Sequence, residues 1–163
     1  MEELENYEIN VDTLLIMPIE NGMSKVYEYG GEYIVKKTPL KIIENSCLFF
    51  GSSYEGRKEG TKSLIGIDMK VPVIIEDSKN IIFFPISSCI RENSIWVSFQ
   101  NIIKYSKKDN LSTLLVFKNN YQITIPCKYN LIDNQMIRCI KLERVILTRK
   151  KFLDDESIYY EES

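Results

Sequence analysis

Apolar residues in this chain fall mostly into short runs, alternating or continuous, that are punctuated by Gly, Asn and Pro rather than spread at helical spacing. Thr13–Ile19 (TLLIMPI) reads as a strand, with Pro18 placing it towards a sheet edge or end. Ser24–Tyr29 and Glu32–Lys36 flank Gly30-Gly31, a two-residue hairpin signal with positive φ available at both glycines. Val73–Ile75 and Ile81–Phe84 flank the polar stretch Glu76–Asn80, a second hairpin. Ile95–Phe99 and Ile102–Tyr105 are strand-like. Leu111–Phe117 and Tyr121–Ile125 enclose Asn119-Asn120, a third hairpin with suitable turn chemistry.

Helical spacing appears in three places. Thr38-Pro39 is an N-cap followed by Pro at the first helical position, and Leu40, Ile43, Cys47 and Phe50 follow at helical intervals. Gly51 closes that helix, which assigns Cys47, Phe49 and Phe50 to the core. Tyr54 to about Leu64 predicts a second, short helix, weakened by Gly56 and Gly60. Asn130 caps a longer one to about Arg149, with Ile132, Met136, Cys139 or Ile140, and Ile146 or Leu147 inward. The resulting fold class is α+β: a single domain of several antiparallel β-hairpins packed with two or three helices. Residues 1–10 read as an acidic, flexible arm, 11–150 as the domain, and 151–163 as an acidic tail.

Composition narrows the chemistry. Tyr, Phe, Ile and Val are abundant, which suits strands. No apolar run approaches the roughly 18 residues of a membrane span, and the acidic start MEELENYEI is unlike a signal peptide. The expected address is therefore cytoplasmic, with no membrane partner. The cysteines (47, 89, 127 and 139) are scattered without a CxxC pair, as expected of reduced, packed thiols, and there is no His at all. No Cys/His zinc site and no Ser-His or Cys-His nucleophile can exist, so neither metal, cofactor nor enzymatic activity is expected.

Net charge misleads here. The total is −2, but residues 1–32 carry −7 and residues 152–163 carry −5. Between them, residues 33–99 carry +2 and residues 100–151 carry +8. A basic body between acidic ends points towards a polyanion, with the ends shielding it from non-specific sites, or to solvated faces that merely differ in sign.

Several motifs could carry chemistry. Gly51 and Gly56 have the separation of a phosphate loop, but Arg57-Lys58 follow where Lys and a magnesium-binding hydroxyl belong. Glu76-Asp77-Ser78-Lys79 imitates a nuclease cluster and sits where a turn is expected. Ser52, Ser53, Arg57, Lys58, Thr61 and Lys62 bring hydroxyls and cations into one stretch, which would suit a phosphate at a helix start or Arg57 in a narrow minor groove. A solvated helix face, with Glu55 and Glu59 balancing the cations, explains the same residues equally well. Arg91 is a contact candidate beside Trp96, a core anchor. Lys104, Lys107 and Lys108 would hold phosphate or solvate an edge strand.

The segment SCLFFGSSYEGRKEGTK (46–62) resembles the signature of the ComK family of bacterial competence transcription factors. KTPLKIIENS before it, then IIFFPISSCIRENSIWVS (81–98) and IPCKYNLIDNQMIRCIKLER (125–144), continue the likeness collinearly over roughly residues 5–145. The resemblance implies a sequence-specific transcriptional activator of DNA-uptake genes, nucleoid-associated in the cytoplasm. It implies binding to paired A/T-rich boxes in double-stranded promoter DNA, mainly through the minor groove. It also implies self-association as a homodimer and, on DNA, a pair of dimers (a homotetramer), with RNA polymerase and a Clp protease adaptor as further partners. The DNA-binding residues it favours are Ser52, Ser53, Arg57, Lys58, Lys62 and Arg91, with Lys104, Lys107 and Lys108 on phosphates. Two features depart from the family: the net acidity, and the ending LDDESIYYEES in place of a longer basic extension. They favour the alternative of a shortened, non-DNA-binding regulatory module that pairs with a full-length family member.

Overall fold

The computed structural model describes residues 1–87 and 94–162, with side chains to Asp154. The order is β1 (Glu2–Leu4), β2 (Thr13–Ile19), β3 (Met23–Glu28), β4 (Gly31–Val35), α1 (Pro39–Phe49) and α2 (Tyr54–Ile65). There follow β5 (Val73–Glu76), β6 (Ile81–Ser87), β7 (Ser94–Ser98), β8 (Ile102–Lys107), β9 (Thr113–Phe117), β10 (Gln122–Ile125) and α3 (Tyr129–Glu162). Seven strands form one sheet in the order β1-β4-β3-β2-β7-β6-β5, and β10-β9-β8 form a second. The architecture is α+β, and every pairing is antiparallel except β1 with β4.

The apolar run of β6 has a direct cause: both faces of the large sheet are covered. Ile82, Phe84 and Ile86 join one core with β9, β10 and α3. Ile81 and Phe83 join the other, with Ile42, Ile43 and Cys47 of α1. Of the three residues assigned to the core at the end of α1, only Cys47 is buried; Phe49 and Phe50 are exposed. Trp96 faces the α1 side, where the Tyr54 ring meets it edge-on at 6.2 Å. The chain leaves the large sheet after β7 at Asn101, whose buried side-chain amide donates to the Ser98 hydroxyl (2.8 Å) and the Val11 carbonyl (3.1 Å). These bonds fix the corner between the two sheets.

Turn chemistry places the hairpins as expected, with one shift. Glu28 pairs with Gly31, so the two-residue turn is Tyr29-Gly30, and only Gly30 has positive φ. Asn119 and Asn120 both adopt left-handed backbone, in keeping with their turn role. Pro18 lies in an interior strand, beyond the Leu15–Ile16 stretch that meets β7, so its missing N–H costs no ladder bond there.

Residues 1–10 are not a free arm. Glu2–Leu4 pair in parallel with Tyr33–Val35, and Tyr7 and Ile9 are buried. The Tyr7 hydroxyl lies 2.6 Å from that of Thr13, and the Ile9 N–H donates to the buried Ser46 hydroxyl at 3.0 Å. Helix α3 runs past Arg149 to Glu162, into the acidic ending. Its first half is anchored by Ile132, Met136, Cys139 and Leu142, whereas Ile140 and Leu147 point outward. Gln135 pins it further, donating to the carbonyls of Lys70 (2.8 Å) and Pro85 (2.7 Å).

Candidate nucleic-acid interface

Thr38 caps α1 through its hydroxyl, which accepts from the Lys41 N–H, and Pro39 occupies the first turn. The other end closes in a Schellman turn. Ser52 N–H donates to the Cys47 carbonyl at 2.9 Å and Gly51 N–H to the Leu48 carbonyl at 3.0 Å, with Gly51 at φ +82°. Only a residue tolerant of left-handed backbone fits there. The turn sends the chain directly into α2, capped by the Ser53 hydroxyl, which accepts from the Gly56 N–H at 3.0 Å.

Arg57 is tied into this junction. Its Nε donates to the Ser52 hydroxyl (3.2 Å), which itself donates to the Cys47 carbonyl (3.1 Å). Burial pushes the Cys47 thiol up to about 11, and the positive charge of Arg57 partly offsets that. Among the described residues, no carboxylate lies within 4.0 Å of the Arg57 guanidinium. Arg57 is therefore a half-buried, oriented and unneutralised cation. Lys58 and Lys62 differ: Glu55 lies 3.4 Å from Lys58, and Glu59 lies 3.5 Å from Lys62. Lys58 also stands over the Tyr54 ring at 5.4 Å. Such exposed pairs are weak and are readily exchanged for a phosphate.

The other candidates lie elsewhere. Lys104, Lys107 and Lys108 are exposed on and just after β8, an edge strand of the small sheet, and Lys108 donates to the Thr124 hydroxyl at 3.3 Å. Helix α2 packs instead against α1, α3 and β5. Arg91 falls outside the described residues. Sequence reasoning places the helix that becomes α3 but singles out none of its cations; Lys141, Arg144, Arg149 and Lys151 are exposed there without a carboxylate partner among the described residues. Lys150 is paired with Asp77 at 3.2 Å, and Arg138 donates to the Met69 carbonyl at 2.9 Å. The charge of +8 over residues 100–151 is the signal that could have found them.

Residues 4–151 match the ComK protein family. This chain belongs to the ComK family. It is 35% identical over 154 residues to the protein of Bacillus subtilis (strain 168) named competence transcription factor, covering 93% of this chain and 77% of that protein. No solved structure matches the chain. The ComK match takes in β2 to β10, α1, α2 and α3 as far as Lys151, so the Ser52–Arg57 junction lies well inside it.

Other residues singled out in this ComK-family chain have structural roles. The Glu76 carboxylate accepts from the N–H groups of Ser78 and Lys79 and from the Ser78 hydroxyl, closing the β5–β6 turn. Burial raises its pKa, but those donors outweigh it and leave the group below its ordinary value. Cys47 and Cys139 are buried free thiols, and Cys127 is buried as well. No helix among the described residues is long and apolar enough to cross a membrane.

Proposed function

We propose that this chain is a DNA-binding regulator of competence-gene transcription that contacts A/T-rich duplex through the minor groove. The carrying observation is Arg57, the cation of α2 that the fold orients through Ser52 and leaves without a carboxylate. A narrow A/T minor groove concentrates negative potential, and an inserted Arg reads its width without needing many base-edge bonds. Ser53, Lys58 and Lys62 supply nearby phosphate contacts, with Arg91 supporting. Lys104, Lys107, Lys108 and the exposed cations of α3 add sequence-independent attraction. Self-association on paired boxes, contact with RNA polymerase and delivery to a Clp protease by an adaptor complete the family-based reading.

A gel-shift with A/T-box and scrambled duplexes across a salt series tests it. Preferential binding that falls steeply with salt is expected, with loss on Arg57→Ala while circular dichroism stays unchanged. Equal binding of both duplexes, or normal binding by the variant, overturns the assignment.

A second reading has its own support, because Lys58 and Lys62 are each already paired with a carboxylate. Here the chain binds no DNA itself and pairs with a full-length family member. It predicts no shift by the chain alone and an altered shift when the relative is present.

A further inference from the structure

The segment 46–50 contains an anomaly that its apolar character hides. Phe49 is 65% exposed and Leu48 64% exposed at the end of α1, although both stand in the most apolar stretch of the region. The Schellman turn explains how. Cys47 and Ser46 take the inward positions, so the next two side chains project from the last helical turn. Phe50, the less exposed of the two rings, lies beside Val11 and Ile81 and meets Phe49 edge-on at 5.1 Å and 90°. The outer ring is thus braced by the inner one.

Next to this apolar tip stands the oriented cation of the proposed interface. The Ser52 N–H and hydroxyl both bind the Cys47 carbonyl, and the Arg57 Nε binds that hydroxyl. Leu48 and Phe49 end the helix whose Cys47 carbonyl holds Ser52 and, through Ser52, Arg57 at the same junction. The carboxylates of Glu44 in α1 and Glu55 in α2 are engaged by Lys41 and Lys58. An apolar wedge beside an unneutralised Arg is the combination used by proteins that enter the minor groove and pry adjacent base pairs apart. A second copy of the chain fits the patch less well. Leu48, Phe49 and Phe50 expose roughly 300 Å², against roughly 800 Å² per partner for a stable protein interface.

We propose that Phe49, with Leu48 beside it, is a wedge that inserts into the minor groove next to Arg57 and unstacks one base step of the bound duplex. This rests on the DNA-binding reading and deepens it. Pyrimidine–purine steps such as TA unstack most easily, so the wedge should select them within an A/T-rich site. The Arg supplies attraction and the Phe supplies deformation.

The test uses the full chain on an A/T-box duplex carrying 2-aminopurine at a TA step and a fluorophore pair at its ends. Wild type should raise the 2-aminopurine signal and bring the ends closer. Phe49→Ser should bind about tenfold more weakly with the same salt slope, with neither the signal nor the bend, and Phe49→Leu should recover some of both. Because Phe49 is exposed, the fold is expected to persist, checked by thermal melting. Bending and 2-aminopurine signals equal to wild type in Phe49→Ser overturn the wedge while leaving DNA binding intact. Loss of self-association by Phe49→Ser in sedimentation, with bending retained per bound protein, overturns it in favour of a protein interface. Absence of any duplex binding by wild type overturns the DNA-binding reading and the wedge with it.

Discussion

Arg57 and Ser52 are joined by a 3.2 Å hydrogen bond that links the start of α2 to the last carbonyls of α1. The bond fixes where the guanidinium sits relative to both helices, and it uses only one of the five N–H donors. Ser52→Ala should therefore weaken A/T-box binding by about three- to tenfold through lost orientation of Arg57. Arg57→Ala should weaken it far more, and the double variant should add little to Arg57→Ala alone. Fluorescence anisotropy on the four proteins checks this, and additive losses would show that the two act separately.

Glu55 and Glu59 hold the neighbouring lysines in weak surface pairs. The Glu55→Gln, Glu59→Gln double variant should bind duplex more tightly and show a steeper dependence on salt, since two more cations become available to phosphates. Log–log plots of affinity against salt concentration give the slope directly. An unchanged slope would place α2 away from the DNA backbone.

Gln135 offers a purely structural prediction. Its amide satisfies two carbonyls, those of Lys70 and Pro85, in an almost fully buried position. Gln135→Leu preserves bulk but leaves both acceptors without this donor, at a cost of about 1–3 kcal/mol. Urea unfolding should register it as a lower midpoint with an unchanged slope.

Alkaline pH should lower the stability of the fold over two successive ranges. Burial pushes the Cys47 thiol from 9.0 up to about 11. Burial first, and then the bond and charge of Asp133, push the Tyr105 phenol from 10.0 up to about 12. Both folded values exceed the unfolded ones, so the folded state prefers the neutral forms. Their contribution is complete below the unfolded values and disappears as pH rises through the folded ones. Stability should begin to fall above about pH 9 and fall further between about pH 10 and 12. Tyr105→Phe should flatten the upper range of that decline, read as urea midpoint against pH.

Elements governed by local chemistry were legible in the chain itself. β2 is bounded as its apolar run indicates, and Thr38-Pro39 starts α1 because cap and fixed φ act within one turn. Asn119-Asn120 reverses the chain because Asn tolerates left-handed backbone. Residues whose fate depends on distant partners were not legible. Tyr7 and Ile9 sit in an acidic stretch that looks solvated, and they are buried in the core between α1 and the large sheet.

The segment 46–62 divides along the same line. Its sequence determined a helix, a glycine stop and a second capped helix, and it gathered hydroxyls and cations within one short stretch. The tertiary structure decided which of them are available. It put Cys47 in the core, turned Phe49 out, paired Lys58 and Lys62 with carboxylates, and left Arg57 oriented but unneutralised. Spacing specifies what a turn can form, whereas exposure and charge balance depend on everything packed around it.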